Sequence, residues 1–354
     1  MSCDYLVIGQ GIAGSTLAWT LADAGYCVVI VDVAQQTNAS SVAAGLVTPI
    51  TGKRFTHARS WMAEWEVASR FYSRIEARLG TRFLHVQPSV RWFASEDEKE
   101  LWQQRMRNGD YAGLDVRYVP GRDDGTIFAP YGGFEMFPSA RLDTVTYLAA
   151  TREYFCERGA YVQHELDLSG LVPSLEGVRV PALDIICQGV VFCQGHLGRS
   201  NPWFPHVDFR PAKGEILTLS IGGYEELRTQ HFDVWLAPQK SGTFRTGSNY
   251  EWDQLDELPT ERVRNALLQR LSGSFRVPVE VLNHQAGIRP AVSDSRPVVG
   301  FHATHPQLMI LNGLGAKGTL WAPLASSLLL GLIADGEHIP AEWSVNRFEC
   351  RGGS

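Results

Sequence analysis

The chain has 354 residues, 44% hydrophobic and 20% charged, with 34 Gly and 18 Pro. That is ordinary globular usage, which excludes a disordered, collagenous or coiled-coil chain, and the length suggests about two domains. Lys plus Arg is 32 against 38 Asp plus Glu, a net charge of −6, so a nucleic-acid partner, which usually meets a basic excess, is not expected. The six cysteines (3, 27, 156, 187, 193 and 350) form no C-x-x-C pair, and no Cys/His cluster has zinc-ligand spacing. No metal is expected, and reduced thiols of a cytoplasmic protein are. Met1-Ser2-Cys3-Asp4 carries no basic leader. The longest apolar stretch, 320–334, is shorter than the ~20 residues of a membrane span.

Along the chain, residues 5–8 form a short apolar run that stops at Gly9-Gln10-Gly11-Ile12-Ala13-Gly14. A helix is predicted over 15–24 from the spacing of Leu17, Ala18, Leu21 and Ala22, with Gly25 placed as its C′ residue. A second apolar strand, 27–31, ends at Asp32. Together these make a βαβ unit of about thirty residues. A helix follows at 64–79 with Trp65, Phe71 and Tyr72. Residues 81–139 hold short apolar runs broken by Gly and Pro, and helical signals return over 141–159. Strands are predicted at 190–193, 215–221, 231–237, 243–247 and 308–311, and helices at 260–271 and 319–334. The expected fold class is α/β: a Rossmann-like domain with a central parallel sheet (1–80, 140–210 and 286–354), plus a β-rich (α+β) domain (81–139 and 211–285). Both are discontinuous in sequence.

The G-x-G-x-x-G pattern occurs twice, and with this glycine content it arises by chance about 0.3 times per chain, so context decides. Gly9, Gly11 and Gly14 follow a strand, open a helix, and have Asp32 eighteen residues beyond Gly14. Gly9 permits the turn, Gly11 admits a pyrophosphate to the backbone, and Gly14 lets helix and strand approach. Asp32 accepts from ribose hydroxyls and would repel the 2′-phosphate of NADP. Gly313, Gly315 and Gly318 also follow a strand and open a helix, but no acid-ended strand comes after them. That copy fits a turn lying against an already bound cofactor, or a packing turn.

With Ala43-Ala44-Gly45-Leu46, Pro211-Ala212-Lys213-Gly214-Glu215, Gly287-Ile288-Arg289-Pro290 and the 312–318 turn in the same order, the whole chain resembles the D-amino-acid oxidase family. The resemblance implies an FAD-binding Rossmann-like domain, a substrate domain and non-covalent FAD. Covalent relatives use a late Cys, and the only one here is Cys350. It implies pyrophosphate at Gly9, Gly11, Ile12, Ala13 and Gly14, ribose at Asp32 beside Val33, and adenine near Leu168. The isoalloxazine is implied along Ala43, Ala44, Gly45 and Leu46 and along Leu314, Gly315, Ala316, Lys317, Gly318 and Thr319, with Ser40 and Gly195 close by. A helix N-terminus at 317–319 would favour charge on reduced flavin. Lys317 either adds a full charge there or is a solvated surface lysine.

The implied activity is oxidation of the C–N bond of a small amine or amino acid by hydride transfer to flavin N5, giving an imine that hydrolyses, with O2 or another acceptor. Arg289 matches the family's carboxylate-binding Arg. Its alternative is a structural salt bridge between domains. Trp235 and Tyr250 match pocket positions held by Tyr and Met in one branch of the family, or are ordinary aromatics. Two other readings stay open: an FAD-dependent tRNA-modification enzyme, and a flavin subunit of a hetero-oligomeric dehydrogenase. The oligomeric state is left open.

Overall fold

The computed structural model describes residues 2–34 and 38–351, without the side chains of Ser241 and residues 349–351. Strand β1 (Ser2–Ile8) and strand β2 (Val28–Asp32) pair in parallel, with Tyr5 opposite Val28 and Ile8 opposite Val31. Between them runs helix α1 (Ile12–Asp23), which begins three residues earlier than the apolar spacing indicates. Residues Ala13 to Leu21 of α1 are all buried, so no polar face marks the true start. Gly25 takes the left-handed conformation, φ +91°, expected of a C′ residue.

The central sheet runs in the order Tyr161–Gln163, β2, β1, Ile185–Phe192. The far edge of Ile185–Phe192 is shared. Its first half pairs antiparallel with Gly177–Val180, and its second half pairs parallel with Leu308–Asn312, Val190 facing Leu308. Alternate residues feed two cores. Val7, Ile30 and Val191 pack beneath the helices, while Leu6, Val29, Val31 and Val190 pack against Phe204, Val292 and Phe348 on the other face. Burial on both faces is why these strands read as unbroken apolar runs.

The helical layer holds α1, α2 (Ala39–Val42) near its edge, α3 (Trp61–Leu79), α5 (Thr144–Glu157) and α7 (Gly318–Asp335). Helix α4 (Glu96–Arg107) lies apart from it, and α6 (Glu261–Ser272) packs on the second sheet. Helix α7 has 18 residues with mean hydropathy 1.3, enough by length and composition to cross a membrane. In the fold, Leu320, Trp321, Ala322, Ala325 and Leu329 are buried against the helical layer.

The second sheet also has eight strands, in the order Val279–Arg289, Ala212–Ile221, Phe244–Gly247, Trp235–Pro238, Thr229–His231, Ser89–Trp92, Gly133–Phe137, Asp115–Val119. Val279–Arg289 is continuous across the expected boundary at 285/286. Its polar middle, Asn283-His284-Gln285, hides it from an alternation pattern, and the sequence reading left it unassigned. Leu84–Val86 joins Ala140–Leu142 and Leu46–Val47 in a separate three-stranded sheet. Helix α4 was also missed, because only Trp102 is buried in it. Its signals are local: Ser95 accepts from the Glu98 N–H at 3.3 Å, and Glu96, Asp97 and Glu98 fill its first turn. The single strand predicted at 231–237 is a hairpin, with His231 opposite Trp235.

The indole N–H of the fully buried Trp19 donates to Thr151 Oγ1 on α5 at 2.9 Å. Thr151→Val keeps the shape and strands that donor. It should lower unfolding free energy by about 1–3 kcal/mol, read as a lower urea midpoint at unchanged slope.

Candidate functional site

A cavity of about 400 Å³ opens at the carboxyl ends of β1, β2, Ile185–Phe192 and Leu308–Asn312, and the end of the second sheet forms its other wall. It straddles the gap between β1 and Ile185–Phe192. From there the sheet grows outward in both directions, the usual ligand position in an open α/β sheet.

The first glycine turn is fixed by close backbone approach. At Gly9, φ is +103° and a Cβ would stand 2.5 Å from the Cys193 carbonyl oxygen. At Gly14 a Cβ would stand 1.8 Å from the Gly9 oxygen. Gly14 therefore acts through packing and does not line the cavity, whereas Gly9, Gly11, Ile12 and Ala13 do. The Ile12 N–H donates to Ser40 Oγ at 3.0 Å. The N–H groups of Ala13 and Gly14 precede the first intrahelical bond of α1 and, with the helix dipole, suit an anion.

Asp32 lies on the wall beside Val33. Its Oδ2 accepts from the Gln10 N–H at 2.7 Å and its Oδ1 from the Ala34 N–H at 2.6 Å. The carboxylate thus ties the glycine turn to the end of β2, a structural role the sequence reading missed, and each oxygen keeps lone-pair capacity toward the cavity. Leu168 lines the same end, its carbonyl taken by the Trp203 indole N–H at 2.9 Å.

Ala43, Ala44, Gly45 and Leu46 form one long wall. Asn38 caps α2 just before them, accepting from the Ser40 and Ser41 N–H groups at 2.9 Å each. Gly45 has φ +68°, and a Cβ there would stand 2.0 Å from the Leu142 oxygen. Arg245, from the second sheet, donates to the Val42 and Ala43 carbonyls at 3.3 and 3.1 Å. No motif pointed to Arg245.

The second glycine turn faces this segment. Leu314, Gly315, Ala316, Gly318 and Thr319 line the cavity, with Gly195 near them. Asn312 donates to the Gly195 carbonyl at 3.0 Å. A Cβ at Gly318 would stand 2.9 Å from Ile12 Cγ2, so the starts of α7 and α1 touch. No side chain caps α7. Of the two readings of Lys317, the side-chain placement fits the solvated one: it is exposed and is absent from the cavity wall, and its ammonium sits 4.7 Å from the centroid of the Trp321 ring. The cation–π contact on its own helix draws it away from the cavity.

Arg289, Trp235 and Tyr250 converge on the remaining wall. Arg289 donates to Ser248 Oγ at 2.5 Å and to the Asn249 carbonyl at 3.2 Å, and its guanidinium carbon lies 4.4 Å from the Tyr250 ring centroid. A Cβ at Gly214 would stand 2.1 Å from Arg289 Nη2, so the guanidinium rests flat on Gly214. Among the described residues no carboxylate pairs with Arg289, and burial pushes its pKa down. The expected alternative, a domain-interface salt bridge, is not formed. Tyr250 is 54% exposed and stacks on Trp252 with ring centroids 5.8 Å apart. Trp235 is partly buried, its ring 3.0 Å from where a Gly247 Cβ would be. No group of three or more His, Cys, Asp or Glu suited to a metal occurs among the described residues. Cys350 lies outside the described side chains.

The family model described as FAD dependent oxidoreductase matches residues 4–331. The chain is 22% identical to a glycine oxidase of Bacillus licheniformis, over 96% of this chain and 95% of that one. It is 26% identical to the tRNA 5-methylaminomethyl-2-thiouridine biosynthesis bifunctional protein MnmC of Acinetobacter baylyi over 95% of this chain, spanning 53% of that relative's length. The crystal structure of glycine oxidase from Bacillus cereus superposes with TM-score 0.80 at 19% identity, covering 95% of this chain and 96% of that one.

Two outcomes follow from the cradle. Gly9→Ala should lose bound flavin colour after purification, since both φ and the Cys193 contact forbid a Cβ, whereas Gly273→Ala, in open space at φ −70°, should remain yellow. Lys317→Met should leave flavin affinity and reduction potential at wild-type values, checked by fluorescence titration and dye equilibration.

Proposed function

The chain belongs to the FAD-dependent oxidoreductase family, and on that premise we propose that it oxidises the C–N bond of a small amine bearing a carboxylate, an amino or imino acid. The observation that carries this reading is Arg289. A desolvated guanidinium on a cavity wall, held by hydroxyl and carbonyl oxygens and lacking a carboxylate, is matched by a ligand that brings one.

FAD supplies the two-electron acceptor when bound. Gly9, Gly11, Ile12 and Ala13 would hold its pyrophosphate and Asp32 its ribose. Ala43 to Leu46 and Leu314 to Thr319 would flank the ring, with the uncapped start of α7 directing partial positive charge at it.

The chain's own residues then set the substrate. Ser248 and the Asn249 carbonyl hold the Arg289 fork so that both of its prongs can meet one carboxylate. Tyr250 covers the guanidinium, and Trp235 bounds the pocket beside Gly247. The acidic residues on the cavity wall, Asp32 and Glu165, belong to β2 and to the segment around Leu168. Among the described residues no carboxylate beside Arg289 holds a substrate ammonium in its charged form. The amine is therefore free to give its proton to water and enter neutral, as loss of electrons from the adjacent C–H requires. The imine product is hydrolysed by water.

The direct test is anaerobic bleaching of the flavin by a panel of D- and L-amino acids, imino acids and simple amines. Carboxylate-bearing amines should bleach it, and bleaching by simple amines alone would reverse the reading. Arg289→Met should keep FAD bound and weaken small carboxylates by about 2–5 kcal/mol, measured by titrating flavin absorbance. Arg289→Lys should recover only part of the loss, because a point charge cannot make the two-pronged contact.

A further inference from the structure

A second cavity, about 30 Å³, shares Ala43, Ala44 and Thr144 with the main one. Its walls include Arg141, Arg245, Asp143, Gln239 and the first residues of α5, Thr144 and Val145. Arg141 is 5% exposed, and its Nε is buried with no hydrogen-bond partner. Among the described residues no carboxylate pairs with Arg141 or Arg245 within 4.0 Å. Arg245 spends one prong on the Val42 and Ala43 carbonyls. The one carboxylate at the notch, Asp143, is already engaged, by Lys240 at 3.1 Å and by the Thr146 N–H at 3.1 Å.

The charge count at this notch is lopsided. Two guanidiniums and the Lys240 ammonium meet one carboxylate, and α5 adds the positive end of a 14-residue helix. His85, opposite Arg141 in strand register, supplies no negative charge; burial and then Arg141 lower its pKa. Burial lowers the pKa of both guanidiniums, and the carboxylate that favours both, Asp143, is shared with Lys240, so a further negative group at the notch is favourable. Water fits the volume but brings no charge.

We propose that this notch binds a small monoanion between Arg141 and Arg245, either a halide or the carboxylate of a formate-sized acid. The bound anion neutralises both guanidiniums and holds Arg245 where it donates to the Val42 and Ala43 carbonyls. It thereby stiffens the segment that walls the main cavity. The site is independent of which amine the protein oxidises.

The test uses FAD-loaded protein at constant ionic strength, with the bulky gluconate replaced stepwise by chloride, bromide or formate. The melting temperature should rise saturably, and bromide-soaked crystals should show anomalous density between Arg141 and Arg245. Arg141→Gln should raise the anion midpoint roughly tenfold or more. Arg141 touches neither the Val42 nor the Ala43 carbonyl, so this variant remains informative if Arg245→Gln fails to retain FAD. Saturation by formate alone would identify the anion as a carboxylate, and saturation by halides too a general monoanion site. A linear, variant-independent salt response, or bromide-soaked crystals with no density in the notch, would overturn the proposal, and loss of amine oxidation alone would not bear on it.

Discussion

The site depends on backbone surfaces meeting with no room for a Cβ. Gly9 lies against the Cys193 carbonyl, Gly14 against Gly9, Gly45 against Leu142 and Gly318 against Ile12. The contacts at Gly9 and Gly318 bring together segments from near residues 10, 193 and 318, more than three hundred positions apart, and the one at Gly45 sets the 43–46 wall on Leu142. They explain why two copies of one glycine pattern build a single site. The first copy offers the uncapped start of α1 to a phosphate group. The second sets the start of α7 against it and has no acid-ended strand of its own. A side chain at any of the four would open the cradle, not merely crowd it, because the obstructing atoms are backbone in three contacts and the β-branched, partly buried Ile12 in the fourth.

Charge pairing divides structural from ligand-facing groups in the second sheet. Lys213 is 1% exposed, yet its ammonium meets Asp256 at 2.6 Å and the Leu258 carbonyl. Its neighbour Glu215 accepts from the Thr260 N–H at 2.7 Å and Thr260 Oγ1 at 2.9 Å. Backbone bonds between Lys213 and Glu251 complete the anchor. These satisfied charges pin the 249–260 segment, which carries Tyr250 over Arg289. One residue further along the same strand, Gly214 supports a guanidinium with no carboxylate. A buried charge with its partner holds the chain in place, whereas Arg289 has no carboxylate partner among the described residues.

Legibility in the sequence followed burial and locality. The βαβ unit, its acid and the last strand and helix were readable because they are continuous and buried on both faces. Helix α4 was not, since eleven of its twelve residues lie outside the core, and only its cap marks it. Val279–Arg289 was hidden by a polar middle at the open edge of its sheet. Lys317 shows the limit of motif reasoning. The spacing fixed its backbone at the start of α7, but the side chain's direction is set by Trp321, one turn on. Arg245 could not be found at all, because its target is two main-chain oxygens about two hundred residues earlier, and main-chain oxygens leave no trace in residue type.

The glycine cradle and the wall around Arg289 therefore differ in how the chain encodes them. The cradle is written in short runs whose spacing carries the geometry. The wall is assembled from single residues at the ends of neighbouring strands: Gly214, Trp235, Ser248 after Gly247, and Arg289. Its residues are placed by register, with Ala212 opposite Arg289 and Gly247 opposite both Ile216 and Trp235. A one-residue slip of Val279–Arg289 would turn Arg289 to the opposite face of the sheet. Along this pair the register breaks once, between Thr218 and Leu219, and then runs uninterrupted to Arg289. The irregularity lies at the far end of the strand pair and the regular ladder at the site, the arrangement needed for one guanidinium to be aimed by hydrogen bonds made many residues away.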